Sequence, residues 1–261
     1  EIVDSLVGSE MCIRDSPTGH FPHNPEPLKE HLTALSEKVV AENADFGIVV
    51  DPDVDRLAFV DENGAVFGEE YTLVACSDYV LSKTPGDTVS NLSSTRALSD
   101  ITQRRNGVYY ASAVGEVNVV EKMKEVKAII GGEGNGGIIY PDLHYGRDAL
   151  VGVALFLSLL TENNQKVSEL RASYPDYAMS KAKISLSEGM DVDVLLKEVE
   201  KKYSEKNPET IDGVKIAFES SWVHLRKSNT EPIIRVYTEA KNQKEANELA
   251  ERFLREIEEM V

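Results

Sequence analysis

Cysteine, tryptophan and positive charge are scarce in this 261-residue sequence, which also lacks any long apolar run. There are two cysteines, Cys12 and Cys76, and one tryptophan. Two cysteines are too few for a secreted disulfide framework and form no metal-ligand spacing, so we predict a reducing compartment, the cytoplasm. No stretch reaches the roughly 18 apolar residues of a membrane-spanning helix, and we expect no membrane partner.

Basic residues are outnumbered by acidic ones. The chain has 28 Lys and Arg against 45 Asp and Glu, a formal net charge of −17. Such a charge argues against a nucleic-acid partner, and any phosphate would need a local binding site. The length predicts two or three compact units, and the oligomeric state is left open.

Helix and strand patterns alternate after an atypical beginning. Residues 1–16 show little periodicity, and SLVGSEMCIRDS resembles translated adapter sequence, so we expect an artefactual leader there. Further along, helical patterns (28–42, 69–81, 95–105, 117–126) alternate with strand patterns (46–50, 57–60, 88–92, 108–113, 128–132). This rhythm predicts an α/β fold with mixed sheets and helices on both faces.

The pattern changes near Pro175, after a helix at 149–160 that is apolar nearly all round and is predicted to be buried between layers. The following segment has helical patterns at 192–203 and from 243, and strand patterns at 214–218, 222–225 and 233–240. We therefore predict a smaller α+β C-terminal domain.

An acidic loop, DPDVDR at 51–56, directly follows an apolar strand pattern. Carboxylates packed this closely repel one another, and hard oxygen ligands suit Mg²⁺, so we predict Asp51, Asp53 and Asp55 as its ligands. An EF-hand calcium loop is one alternative, since Glu62 holds its twelfth position, but Arg56 replaces its glycine and the flanks are strands. A solvated acidic turn is another alternative.

A glycine-rich segment, GGEGNGGIIYP at 131–141, places Glu133 and Asn135 among five glycines. Glycine allows close approach of a ligand to the backbone, while carboxylate and amide groups can bind sugar hydroxyls. The alternative for this segment, taken alone, is a mobile glycine-rich turn.

A third loop, RKSNTEP at 226–232, precedes a strand pattern. Arginine can grip a phosphate with two parallel hydrogen bonds, and neutral side chains add donors without adding charge. The phosphate-binding candidates are Arg226, Ser228, Asn229 and Thr230. A simple turn cluster is the alternative.

The order of these three loops resembles the α-D-phosphohexomutase family, which includes phosphoglucomutase, phosphomannomutase and phosphoglucosamine mutase. The resemblance runs from about Gly19 to the end of the chain. VGEVNVVEKM at 114–123 and HYGRDALVG at 144–152 also look like family segments.

The resemblance implies a mechanism in which a phosphoserine donates its phosphoryl group to a bound hexose phosphate, and the resulting bisphosphate turns over and returns its other phosphate. Mg²⁺ would be held by the three aspartates, and Arg56 would stabilise the transferring group. Sugar contacts would come from Glu133, Asn135 and Gly136, and the non-reacting phosphate would be anchored by Arg226, Ser228, Asn229 and Thr230.

The resemblance also implies a division into family domains: the end of the second at 17–63, the third at 64–174 and the fourth at 175–261. A chain with only these parts is expected to be inactive alone. Glucosamine phosphate is the favoured substrate, with glucose or mannose phosphate as the alternative. A non-catalytic module that binds metal and sugar phosphate is the rival from another class.

Three departures from the family pattern stand out. Pro52 and Val54 replace glycines of the usual acidic loop. Gly137 stands where the sugar loop often has a histidine, so His144 is the nearest acid/base candidate, with a structural histidine as the alternative. A serine loop of the S-H-N-P kind is missing, and the nearest string is FPHNP at 21–25.

Overall fold

The computed structural model describes residues 24–185, 191–228 and 233–260. They form two compact units, the first made of the described residues up to Ala111 together with Gly115–Pro175, the second of Ser112–Val114 and the residues from Asp176 onward. The predicted class, mixed α/β followed by a smaller α+β part, is confirmed. No helix in the described ranges is both long enough and apolar enough to cross a membrane.

The described residues of the first unit form a two-stranded and a four-stranded sheet. Its strands are β1 (Gly47–Val50), β2 (Leu57–Val60), β3 (Thr88–Asn91), β4 (Tyr109–Ser112), β5 (Ile130–Glu133) and β6 (Gly137–Ile139). β1 and β2 pair antiparallel. The larger sheet has the order β4-β3-β5-β6, with β3 parallel to β5 and β5 antiparallel to β6.

The described residues of the same unit form six α-helices: α1 (Thr33–Ala41), α2 (Glu69–Lys83), α3 (Ala97–Arg104), α4 (Glu116–Val126), α5 (Ala149–Asn163) and α6 (Val167–Ala172). The apolar helix α5, predicted to be buried between layers, buries one side, including Val153 and Phe156, while Leu150 on another side is 60% exposed. The more polar α2 is more deeply buried, with every residue from Tyr71 to Asp78 buried. Its buried charge is satisfied, since Asp78 pairs with Arg104 and Arg105.

An aromatic cluster holds β2 against α5. The rings of Phe59 and Phe156 stack 3.8 Å apart, and Phe67 meets Phe156 edge to face at 5.2 Å. Both geometries are favourable for aromatic pairs. The cluster fixes the strand that follows the acidic loop.

The second unit is a four-stranded antiparallel sheet with the order β7-β10-β9-β8. Its strands are β7 (Ala178–Ser185), β8 (Val214–Ala217), β9 (Trp222–Lys227) and β10 (Ile233–Ala240), and its helices are α7 (Val192–Lys202) and α8 (Gln243–Glu258). Apolar side chains from the helices and from three of the strands form one core that includes Val199, Leu225 and Phe253. The helices therefore cover the sheet with their apolar faces.

Candidate functional site

The acidic loop is the turn between β1 and β2. Oδ1 of Asp51 accepts hydrogen bonds from the backbone amides of Asp55, at 3.0 Å, and Arg56, at 2.9 Å. One carboxylate oxygen from each of Asp51, Asp53 and Asp55 lies within 4.8 Å of the others. The loop therefore brings together the three predicted metal ligands.

Electrostatics at this loop favour a cation. Burial opposes ionisation of Asp51, but the backbone amides of Arg56 and Asp55 outweigh it and hold the pKa of Asp51 below its usual value. Burial and the Asp51 carboxylate raise the pKa of Asp55 to about 6, against the opposing charge of Arg147. Oδ1 of Asp55 is buried and accepts no hydrogen bond from the part of the chain that the structure describes. These residues fit a divalent cation with oxygen ligands.

The backbone at Val54 is strained. Its φ of +58° lies in the left-handed region, which costs a side-chain-bearing residue roughly 1–2 kcal/mol. The Val54 carbonyl accepts a hydrogen bond from the Ala149 amide at 3.1 Å, at the start of α5. This explains how the loop keeps its shape where the family pattern has glycine.

Arg56 lies among carboxylates. Its Nη1 donates to Oε1 of Glu26 at 2.7 Å, and its Nε lies 3.5 Å from Oδ2 of Asp51. Glu26 is a neighbour that the sequence argument missed, because no local spacing connects residues 30 positions apart. The Arg56 side chain as a whole is about one-third exposed, while its Nε is buried.

The glycine-rich segment forms a hairpin, with a turn at 134–136 between β5 and β6. Glu133 ends β5, and β6 begins at Gly137. The Glu133 carboxylate is buried and accepts from Nδ2 of Asn91 at 2.8 Å and from the Gly115 amide at 3.2 Å. Oδ1 of Asn135 accepts from the Gly137 amide at 3.2 Å. The hairpin thus fixes both predicted sugar-binding side chains.

Gly136 joins this hairpin to the strand after the acidic loop. Its carbonyl accepts from the Leu57 amide at 3.1 Å. Its φ is +87°, and a Cβ there would lie 2.2 Å from the Leu57 carbonyl oxygen. Only glycine permits this approach, so the contact places the acidic loop beside the hairpin.

Arg147 is the residue that sequence reasoning missed at the centre of this arrangement. Its guanidinium pairs with Asp55 through Nη2, with Glu133 through Nη1 at 3.3 Å, and with Glu116 through Nε at 3.3 Å. The sequence carried one signal, because Arg147 lies in the HYGRDALVG segment that resembles the family. That segment does not indicate which residues Arg147 contacts.

His144 lies in the turn before α5 and is about half exposed. Its Nδ1 accepts from the Gly146 amide at 3.0 Å, so Nε2 carries the proton and donates to Oδ2 of Asp148 at 3.0 Å. Both ring nitrogens are engaged, as the structural alternative requires. The acid/base role of His144 stays a prediction.

In the second unit, the phosphate-binding candidate Arg226 lies near the end of β9. Its Nη1 lies 3.9 Å from Oδ2 of Asp212, which is too long for a hydrogen bond, so within the described residues this pair leaves the Nη1 donor available. Ser228 is buried, and its amide donates to the Ile233 carbonyl at 3.0 Å. Asn229 and Thr230 lie outside the described residues.

His224, also on β9, contacts the backbone of Asp212 and should make the stability of the second unit depend on pH. Its Nε2 donates to the Asp212 carbonyl at 2.6 Å. Burial disfavours the imidazolium and lowers the pKa of His224 to about 4. The unfolded chain, with an ordinary histidine pKa of about 6.5, therefore binds a proton between pH 6.5 and 4 that the folded unit does not.

We expect this single group to make the second unit about 2 kcal/mol less stable at pH 5 than at pH 7. The buried Trp222 lies in the same unit, so its fluorescence during urea unfolding reports the loss. His224→Gln should remove about that much of the pH dependence, and His31→Gln, in the first unit, should remove none. Equal pH dependence in wild type and His224→Gln would contradict the assignment.

Comparison with known proteins matches the whole arrangement to one family. Its sequence models are those for phosphoglucomutase/phosphomannomutase: alpha/beta/alpha domain II matches residues 2–64, alpha/beta/alpha domain III residues 68–177, and the C-terminal domain residues 162–256. Three consecutive domain models of one family thus account for the described fold. The chain belongs to the phosphoglucomutase/phosphomannomutase family and covers its C-terminal domains.

Individual relatives agree. The phosphoglucomutase/phosphomannomutase of Thermococcus kodakarensis is 38% identical over 95% of this chain and 55% of its own length. The phosphoglucosamine/phosphogalactosamine mutase of Sulfurisphaera tokodaii is 34% identical over 90% of this chain and 52% of its own length. A crystal structure of a family protein from Burkholderia thailandensis matches with a TM-score of 0.79 at 26% identity, covering 91% of this chain and 52% of that one. The chain spans about half the length of these relatives.

Proposed function

We propose that this chain supplies the Mg²⁺-binding, sugar-binding and phosphate-anchoring parts of an enzyme that interconverts hexose 6-phosphates and hexose 1-phosphates. One observation carries the proposal: the acidic loop and the Glu133 hairpin are tied together by the Leu57–Gly136 hydrogen bond and by Arg147. A cation site beside a buried carboxylate that can accept from hydroxyls suits phosphoryl transfer to a sugar, which depends mainly on positioning and charge neutralisation.

The residues have distinct roles in this proposal. Asp51, Asp53 and Asp55 hold Mg²⁺, which when bound would polarise a phosphoryl oxygen. Arg56 offers a second positive charge to the transferring group. Asn135 orients sugar hydroxyls together with Glu133, whose two oxygens hold three partners and retain room for another donor.

The phosphoryl donor in this proposal is a phosphoserine, as the family resemblance implies. Ser94 is a poor candidate for it: its hydroxyl donates to Oδ1 of Asn91 at 3.1 Å and accepts from the Gly134 amide at 3.0 Å, so it is committed to the turn after β3. We favour glucosamine phosphate as the substrate. The names of the relatives support either an amino sugar or glucose and mannose phosphates, and the assay below compares them.

Arg226 gives the proposal its direct binding test. Arg226→Ala should weaken glucosamine 6-phosphate binding by roughly 10- to 100-fold, because a charge-assisted hydrogen-bonded contact contributes about 1.5–3 kcal/mol. Isothermal titration calorimetry with glucosamine, glucose and mannose 6-phosphates measures this loss and the substrate preference, and free glucosamine should bind far less well.

Lys227→Ala is the matched control, since Lys227 is the next cation along β9 and is half exposed towards Asp193. Its removal should change the affinity less than about threefold, as expected for an exposed charge. Equal affinities for wild type and Arg226→Ala would show that the phosphate is anchored elsewhere.

A further inference from the structure

Arg147 is unusual in how completely carboxylates surround it. Each part of its guanidinium faces a different one: Asp55, Glu133 and Glu116. Its backbone amide also donates to Oε1 of Glu116 at 3.0 Å. The side chain is only 14% exposed. A positive charge is thus fixed beside the acidic loop by the protein itself.

Gly137 provides the space for this side chain. A Cβ at Gly137 would lie 2.4 Å from Cδ of Arg147 and 3.1 Å from its Cγ. The aliphatic part of Arg147 therefore crosses the first residue of β6, where any larger residue would displace it. The glycine and the arginine act as a pair.

We propose that Arg147 is a built-in counter-ion that competes with the divalent cation at the acidic loop. The inference rests on the proposed function, because it takes the loop as the Mg²⁺ site. Arg147 occupies Oδ2 of Asp55, while the buried Oδ1 of the same carboxylate has no hydrogen bond among the described residues. The guanidinium thus holds Asp55 in place before an ion arrives and repels the ion once it binds.

The proposed role predicts that removal of Arg147 increases the affinity for Mg²⁺, whereas loss of a supporting residue would decrease it. If Arg147 only supported the fold, its removal would loosen the loop and weaken Mg²⁺ binding. If it acts as a competing charge, its removal frees Asp55 and takes away a positive charge a few ångströms from a doubly charged ion, so binding tightens. Repulsion at that distance in a partly buried site is large enough for a gain on the order of tenfold. Arg147 is therefore a positioning residue that also limits ion affinity.

The test is Mg²⁺ titration calorimetry of the 261-residue chain with substitutions at Arg147. Arg147→Met keeps the length of the side chain and should tighten binding on the order of tenfold, whereas Arg147→Lys keeps the charge and should stay within about threefold of wild type. Arg104→Met is the control for loss of an arginine elsewhere, because Arg104 is half exposed and pairs with Asp78. It should leave the affinity for Mg²⁺ unchanged. Thermal unfolding followed by circular dichroism verifies that each variant is folded.

Gly137→Ala provides an independent test that leaves Arg147 in the sequence. Its φ is not in the left-handed region, so alanine displaces the arginine without backbone strain, and Mg²⁺ binding should tighten as in Arg147→Met. Unchanged or weaker binding in folded Arg147→Met, or equal tightening in Arg147→Lys, would overturn the inference. Asp53→Asn distinguishes failure of the Arg147 inference from failure of the proposed function. If Asp53→Asn binds Mg²⁺ as well as wild type does, the metal site of the proposed function is itself wrong.

Discussion

Replacing Asp53 by asparagine should reduce hexose-phosphate mutase turnover by at least about a hundredfold, since metal-assisted charge neutralisation contributes several kcal/mol to such reactions. Asp53 is exposed, and asparagine has nearly its shape, so the substitution removes the charge of one proposed ligand without disturbing the fold. The assay needs the part of the enzyme that this chain does not span. We would supply it by joining the chain to the N-terminal half of the Thermococcus relative.

A coupled assay with Mg²⁺ and a trace of hexose 1,6-bisphosphate measures this turnover. Asp45→Asn, at an exposed acid just before β1, is the control and should retain full activity. The 261-residue chain alone should show no turnover. Undiminished activity of Asp53→Asn would remove Asp53 from the metal site, and activity of the chain alone would favour a donor within it.

Gly136→Ala should destabilise the first unit by about 3 kcal/mol, because left-handed strain and a steric clash each cost roughly 1–2 kcal/mol. The added Cβ would lie 2.2 Å from the carbonyl oxygen of Leu57, a backbone atom of β2 that cannot rotate away. Urea unfolding followed by far-ultraviolet circular dichroism measures the loss. The same variant should weaken Mg²⁺ binding, because the acidic loop is displaced from the hairpin.

Gly68→Ala separates the two causes. Gly68 has a similar φ of +96°, but the nearest atom to its Cβ would be a Tyr71 ring carbon at 3.4 Å. Its replacement should therefore cost only the backbone strain, about 1 kcal/mol. Similar losses for the two variants would show that the contact with Leu57 is dispensable.

Elements with a clear period were predictable from the sequence. The strand pattern at 57–60 and the helical pattern beginning at Glu69 reappear as β2 and α2, because alternation and 3.6-residue spacing depend only on local geometry. Burial was less predictable. The apolar helix α5 has an exposed side at Leu150, whereas most of α2 is buried because it contacts α3, α5 and the strands β2, β5 and β6.

The site was predictable where its residues are adjacent in the chain. The three aspartates were found from their spacing, and the structure brings their oxygens together. Glu26 and Arg147 were not found. Glu26 lies 30 positions from Arg56, and the partners of Arg147 lie 14, 31 and 92 positions from it, so no periodicity links them. Val54 was recognised as a departure from glycine, but its left-handed backbone depends on Ala149, which only the folded chain places beside it.

The second unit includes a short detour of the chain, Ser112–Val114, taken from the middle of the first unit's sequence. The Val114 amide donates to Oδ2 of Asp212 at 3.0 Å, and that oxygen is also the one nearest Arg226. A gene cut at Pro175 would therefore transfer the second unit without one of its own hydrogen-bond donors. Recombination that exchanges this unit between relatives has to preserve residues at two distant places in the coding sequence. The unit is therefore compact in space but is not encoded by one continuous segment of the gene.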